Sequence, residues 1–129
     1  MCMIDGGELA ELWIESTAKA RKPHKCCECG RTIQPGEVYH KVFGVQRGDP
    51  FRGKWCAHCD VAKTWLWDNC GGSMLTMVEE DIREHVGEYQ RMDLARLSVG
   101  MRICWQRIRR EGLMPIPKLP APIKLGDAR

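Results

Sequence analysis

The stretch KCCECG, residues 25–30, together with CAHC, residues 56–59, decides how this chain is organised. Each stretch contains one C-x-x-C pair, and 26 residues separate the pairs. A tetrahedral zinc site takes four thiolates from two such turns, because in each turn the second thiolate folds back towards the first. The spacing therefore predicts one structural Zn²⁺. Its predicted ligands are Cys26, Cys29, Cys56 and Cys59.

Three cysteines compete for the two ligand positions in KCCECG. Cys27 and Cys29 are one residue too close for the turn, whereas Cys26 and Cys29 followed by Gly30 fit it. Glycine there tolerates a positive φ and lets a backbone N–H approach sulfur. Cys27 is therefore predicted to be the spare thiol. The cysteines outside the motif are expected to be small buried groups or free thiols: Cys2, Cys70 and Cys104.

Composition sets the broad class of the chain. Its 129 residues predict one domain, or a small module joined to a helical segment, and its net charge of +3 is too small to indicate nucleic-acid binding by itself. No apolar run approaches the length of a membrane span. The start, MCMIDGGELAEL, shows no secretory-signal pattern. Eight cysteines without such a signal favour metal binding or free thiols over disulfides, and we expect a cytoplasmic protein.

The residues between the pairs predict an α+β scaffold. A Pro35-Gly36 turn precedes β-branched and aromatic residues, QRGDP breaks the strand, and FRGKW returns into the second pair. Beyond it, DVAKTWLWDN has helical character. The turn that contains Cys26 and Cys29, here called the knuckle, is followed by a β-hairpin and a helix, and this order is that of a treble-clef module. We place the module at residues 20–70, after an N-terminal segment of residues 1–19. The helix N-terminus would stabilise thiolates, and Lys25, Arg31 and Lys54 would offset the cluster's charge.

The run C-x-x-C-G-x-x-I-x-x-G-E-x-Y, with WCAHC after it, resembles treble-clef zinc-finger proteins of bacteriophages and prophages. The resemblance covers about residues 20–60. It implies the same four cysteine ligands and is nearly silent on function. A phage-type origin is what it suggests.

Residues 71–112 predict a helical extension packed on this module. Thr76 and Glu79 have capping-box spacing, and a second helix is expected from Asp93 as its N-cap to Gly112 as its stop. That helix carries one apolar stripe, and we expect a core shared by Trp65, Leu97, Trp105 and Ile108. The proline-rich tail, 113–129, is expected to be extended, either as a strap on the protein's own surface or as a ligand for another domain.

Catalysis finds no support in the sequence. A nuclease variant of this scaffold needs a histidine base on the hairpin and metal-binding histidine or asparagine on the helix. His40 lies in the hairpin, but the helix offers Asp60 and Asn69 without a histidine. His58 is expected to point away from the metal, and His85 to lie at the surface. A zinc with four thiolates also has no open position for water, so we expect a protein that is not an enzyme.

Two kinds of binding protein remain. The first docks on a host protein complex and modulates or inhibits it, through a surface expected at Val99, Ile103 and Arg107. The second binds nucleic acid through basic residues beside the knuckle. Those residues are Lys19, Arg21, Lys22, Lys25 and Arg31. The acidic stretch EEDIREHVGE would repel phosphate, which favours the protein partner.

Overall fold

The computed structural model describes residues 11–106 and 112–123 and shows an α+β protein with an antiparallel sheet and three helices. The expected fold class is confirmed at this level. No helix in these two ranges is long and apolar enough to cross a bilayer. The strands are β1 (Leu12–Lys19), β2 (His24–Lys25), β3 (Thr32–Ile33), β4 (Val38–Gln46) and β5 (Asp49–Cys56). The helices are α1 (Ala57–Cys70), α2 (Val78–Tyr89) and α3 (Met92–Arg102).

The hairpin forms where the sequence predicts it. Strands β4 and β5 pair along their length, and the turn between them has positive φ at Arg47 and at Gly48, inside the QRGDP stretch. The earlier turn has Gly36 at a φ of 94°, and the Gly36 N–H donates to the carbonyl of Ala20 at 2.8 Å. Strand β5 is longer than the FRGKW segment, because it begins directly after the turn.

Strand β1 is an element that the sequence did not indicate. No strand is predicted for the N-terminal segment, yet Leu12–Lys19 pairs antiparallel with β4 over all eight of its residues, giving the order β1-β4-β5. Seven of these eight residues are exposed, so the strand lacks the apolar alternation that marks a half-buried strand. Its place in the sheet comes from backbone pairing with β4.

The capping-box prediction for α2 is wrong. Thr76 has a φ of 70°, and α2 begins at Val78 with Met77 at the N-cap and no side-chain cap of its own. A residue in the left-handed region does not have the extended N-cap conformation that the capping box requires. The N–H groups at this end therefore need acceptors from elsewhere in the chain.

Helix α3 is shorter than predicted at its C-terminal end and begins slightly earlier. It begins after Arg91 rather than after Asp93 and ends at Arg102, ten residues before Gly112. The chain then turns back through Cys104 and Trp105, which both have positive φ. The missing Cβ of Gly100 makes room for the turn, since a Cβ there would lie 2.2 Å from Cζ3 of Trp105.

One core joins the sheet, α1 and the two later helices. Trp55, Trp65 and Trp105 are almost completely buried in it, together with the α3 residues Leu94, Leu97 and Met101. The expected sharing of Trp65, Leu97 and Trp105 is therefore confirmed. Ile108, Arg107 and Arg110 lie outside the described residues.

The tail runs along α1 without regular structure. The indole N–H of Trp65 donates to the Ala121 carbonyl at 3.0 Å, and the Ile123 N–H donates to Asn69 Oδ1 at 2.8 Å. Arg91 also donates to the Ala121 carbonyl, at 2.7 Å. Up to Ile123 this segment is thus bonded to the chain's own surface.

Candidate metal centre

The four cysteines of the two C-x-x-C pairs meet in one cluster, with all four sulfurs within 4.8 Å of one another. One pair lies in the turn between β2 and β3. In the other pair, Cys56 ends β5 and is the N-cap of α1, and Cys59 lies in the first turn of that helix. The hairpin therefore brings the second pair back to the first.

The sulfur spacing suits a tetrahedral metal. Cys26 Sγ lies 3.8 Å from Cys59 Sγ, and Cys29 Sγ lies 3.9 Å from Cys56 Sγ. An ion with metal–sulfur bonds of about 2.3 Å, as for Zn²⁺, holds its four sulfurs about 3.8 Å apart. The cluster could therefore hold one metal ion with little movement of the side chains.

Backbone and indole N–H groups point at these sulfurs. Cys26 Sγ accepts hydrogen bonds from the backbone N–H of Cys56 at 3.3 Å and of Cys29 at 3.5 Å. Cys59 Sγ accepts one from the indole N–H of Trp105 at 3.4 Å. Gly30 has the positive φ, 79°, that the sequence predicts for the knuckle turn. Such donors orient the ligands and stabilise thiolate charge.

Hydrogen bonds among the four thiols lower the pKa of some of them and raise the pKa of others. The bond with Cys26 contributes most to holding the pKa of Cys56 well below its usual value, whereas the same kind of contact raises the pKa of Cys59. The bond with Cys29 contributes most to lowering the pKa of Cys26 to about 7. Thiolates are the form that binds metal, and the lowered pKa values of Cys26 and Cys56 favour that form at these two residues.

Arg31 is a basic residue that interacts electrostatically with the cluster, through Cys56. It is buried, and its guanidinium donates to Glu37 Oε1 at 2.8 Å and Oε2 at 3.1 Å. Burial opposes its charge, but Glu37 and the nearby Cys56 outweigh it and raise the pKa of Arg31. A buried, paired Arg31 offers no surface for phosphate, which corrects its place in the predicted nucleic-acid set.

The cysteines outside the cluster have three different environments. Cys27 is half-buried, and burial is the main cause that raises the pKa of its thiol to about 12. Cys104 donates its thiol hydrogen to the Cys29 carbonyl at 3.1 Å. Cys70 is disulfide-bonded, so the expectation of a free thiol or small apolar group is wrong for this residue. Cys2 lies outside the described residues.

Glu28, inside the first C-x-x-C pair, caps helix α2. Its carboxylate accepts the backbone N–H of Thr76 at 2.8 Å and that of Val78 at 3.2 Å. Its side chain is completely buried, and Lys63 Nζ lies 3.9 Å from Oε2. No local sequence pattern predicts this contact, since Glu28 and Thr76 are 48 positions apart in the chain. The loop between Cys26 and Cys29 thus holds the helical extension directly.

The histidines have structural contacts. His58 is buried, and its Nε2 lies 2.6 Å from the Met114 carbonyl oxygen; an interaction with His58 is also one of the lesser causes that lower the pKa of Cys56. His40 stacks on Trp55, with its Nδ1 3.4 Å from Asp60 Oδ1. His85 is buried, and its Nδ1 lies 2.8 Å from the Asp81 carbonyl, so the predicted surface position is wrong. Packing against the edge of the Trp65 ring explains its burial.

The structure describes two of the three residues that were expected to form the partner surface. Val99 is exposed on α3, Ile103 is half-buried in the turn after it, and Arg107 lies outside the described residues. A basic surface does form beside the knuckle, where Lys19, Arg21, Lys22 and Lys25 are all exposed. Partial desolvation and then the charge of Lys54 lower the pKa of His24 within it.

An apolar groove of about 990 Å³, which the sequence analysis did not find, opens between the hairpin end and α1. Trp13 and Phe51 form one wall, with ring centroids 5.6 Å apart, and Trp67 and Met74 form another. Trp67 is 69% exposed. Trp67 lies two residues after the buried Trp65, and this spacing places the two side chains on opposite faces of the helix. The exposure of Trp67 could therefore have been predicted from the sequence.

Comparisons with known proteins give no relative for this chain. No known protein family matches it, and neither a curated protein nor a solved structure is significantly similar. The resemblance to phage zinc-finger proteins therefore stays a prediction from the motif. Any function assigned to the chain has to be argued from its own geometry.

Proposed function

We propose that this chain is a non-enzymatic binding protein of the treble-clef type, stabilised by one structural Zn²⁺ on Cys26, Cys29, Cys56 and Cys59. The observation that carries this proposal is the cluster of four sulfurs, all within 4.8 Å of one another, with two of the distances at 3.8 and 3.9 Å. Soft thiolate ligands in a tetrahedral set favour zinc. Four protein ligands fill the coordination sphere, so the metal serves folding rather than hydrolysis.

The proposed partner is another protein, and the groove supports this choice. Soluble proteins seldom expose large adjoining apolar side chains without a use for them. Here Trp13 is 41% exposed, Met74 52% and Trp67 69%, all along one groove. Tryptophan supplies much of the binding energy at protein interfaces, and methionine adapts to varied partners. Val99, Ile103 and Arg107 remain a second candidate surface.

The motif resemblance suggests the setting for such binding. A phage-type protein of this size would act in the cytoplasm by docking on a host complex and modulating or inhibiting it. A stabilising metal supports this role because it lets a small chain present a preformed surface, which lowers the entropic cost of binding.

Nucleic-acid binding is the alternative, and the basic surface around His24 favours it. Lys19, Arg21, Lys22 and Lys25 lie together there, close to Lys54. Binding of this kind rests on phosphate neutralisation and weakens by powers of ten between about 50 and 200 mM salt when several phosphates are contacted. The proposed protein partner would remain bound over that range.

The test is affinity capture from nuclease-treated bacterial lysate, using wild type and two variants. Trp67→Glu places a charge in the groove and should release the partner. Met92→Glu is the matched control, because Met92 is equally exposed on α3 but does not line the groove. Sub-micromolar binding to DNA or RNA at physiological salt, abolished by reversing Lys19 and Lys22 but unaffected by Trp67→Glu, would overturn the protein-partner proposal in favour of its alternative.

A further inference from the structure

Strand β1 leaves one side of the sheet open. It is the edge strand in the order β1-β4-β5, and within residues 11–106 and 112–123 no other strand pairs with its outer side. An edge strand presents a row of unpaired N–H and C=O groups that can bind another extended chain. Leu12, Trp13 and Ile14 are also exposed on this strand. The edge is therefore both long and partly apolar.

The backbone direction along β1 follows from its pairing with β4. The Ala20 N–H donates to the Glu37 carbonyl at 2.8 Å, one step beyond the Lys19–Val38 pair. Hydrogen-bonding groups alternate in direction from residue to residue along a strand. The outward-facing groups thus belong to the odd-numbered residues of the strand. These are Trp13, Glu15, Thr17 and Lys19.

Charge then favours one register for two copies of this edge. A two-fold axis at Glu15 would place two carboxylates opposite each other, and an axis at Lys19 would place two ammonium groups opposite each other. An axis at Trp13 would place Glu15 opposite Glu11. Like charges directly opposite one another destabilise a strand pair.

An axis at Thr17 is the one that places the two charged residues of β1 opposite each other. It places Glu15 of each copy opposite Lys19 of the second copy, whereas an axis at Ile14, Ser16 or Ala18 places neither of them opposite a charged residue of the strand. Opposite charges stabilise cross-strand pairs. Glu15 and Lys19 are exposed, and neither is held in an ion pair in the described part of the chain. Glu15 Oε2 accepts the indole N–H of Trp13 at 2.7 Å, which leaves its charge unneutralised for a second copy.

We propose that two copies of this chain pair antiparallel through their β1 edges, about a two-fold axis at Thr17, to form one six-stranded sheet. The interface is isologous, as in most homodimers. Because opposed residues lie on the same face of the sheet, the two Trp13-lined grooves open on the same side. This inference is independent of the proposed partner.

Charge reversal gives the test, with the full zinc-loaded chain studied by sedimentation equilibrium. Wild type should be dimeric at a concentration of about 100 µM. Glu15→Lys and Lys19→Glu should each raise the dimer dissociation constant roughly tenfold to a hundredfold, since each puts like charges opposite one another twice. Circular dichroism should show that both variants remain folded.

Mixing the two variants makes the test specific for the register. The Glu15→Lys chain has two positive side chains at these positions and the Lys19→Glu chain has two negative ones, so both cross-strand pairs of a mixed dimer again join opposite charges. An equimolar mixture should therefore recover the wild-type dissociation constant. The control reversals are Lys41→Glu on the central strand and Glu88→Lys on α2, which should leave the dimer unchanged. The proposal is overturned by a monomeric wild type, by single reversals that behave like the controls, or by a mixture that stays monomeric.

Discussion

Replacement of Glu28 by glutamine tests how the loop between Cys26 and Cys29 holds the helical extension. The Glu28 carboxylate accepts the N–H groups of Thr76 and Val78 at 2.8 and 3.2 Å and lies 3.9 Å from Lys63 Nζ. Glutamine has the same shape, but one of its two terminal atoms is an NH₂ donor. One backbone N–H at the start of α2 would then face a donor, without a partner.

The cost follows from the number and kind of bonds affected. A hydrogen bond to a charged acceptor contributes about 1.5–3 kcal/mol, and a carboxylate at a helix N-terminus adds roughly 0.3–1 kcal/mol. Glu28→Gln keeps one of the two bonds, so we expect a loss of about 2 kcal/mol in the free energy of unfolding. Glu28→Ala removes both bonds and leaves Lys63 without its carboxylate, so we expect about 4 kcal/mol.

Urea denaturation of the zinc-loaded protein measures these losses, and hydrogen exchange at the Val78 amide locates them. Glu80→Gln is the matched control, because Glu80 lies exposed in the same first turn and should contribute only the small helix-dipole term. Zinc content should not change in either variant. If Glu28→Gln and Glu80→Gln were equally stable, the capping role assigned to Glu28 would be refuted.

Three further predictions have defined outcomes. Cys27→Ser should leave the zinc content at one per chain, whereas serine at any of the four predicted ligands should lower it, as elemental analysis would show. Gly100→Ala should destabilise the protein by about 1–3 kcal/mol in urea, because its Cβ would overlap the Trp105 ring, while Gly87→Ala, with nothing within 4 Å, should stabilise it slightly. Burial raises the pKa of Asp81. For a carboxyl group with a raised pKa, the free energy of unfolding falls as the pH rises through that pKa, because the folded state then loses the proton that it binds more tightly than the unfolded state. Asp81→Asn should therefore be more stable than wild type at neutral pH, as urea denaturation would show, with the difference narrowing on acidification; a loss at neutral pH would contradict this.

Features fixed by short-range chemistry could be predicted from the sequence. The C-x-x-C spacing brings two sulfurs together within one turn, and Gly30 has the positive φ expected of it. The break at QRGDP and the helix after Cys59 depend on local turn and helix preferences. These predictions needed no knowledge of which segments meet in the fold.

Features that depend on contacts between distant residues could not be predicted in this way. Glu28 caps a helix that begins 50 residues later, and no local pattern links it to Val78. The end of α3 is set by the Trp105 ring against Gly100, although the periodic sequence would allow a longer helix. Strand β1 is held in the sheet by backbone pairing with β4 and not by burial of alternate side chains. Its sequence therefore has no apolar alternation from which a strand could be predicted.

The proposed zinc centre is tested most directly by X-ray absorption spectroscopy at the zinc edge of the purified protein, together with its zinc content. We expect one zinc per chain and a first shell of four sulfurs at about 2.3 Å, as a closed site with four thiolates requires. A shell containing nitrogen or oxygen ligands, or protein that folds fully without metal, would contradict the assignment of Cys26, Cys29, Cys56 and Cys59 as a structural zinc site.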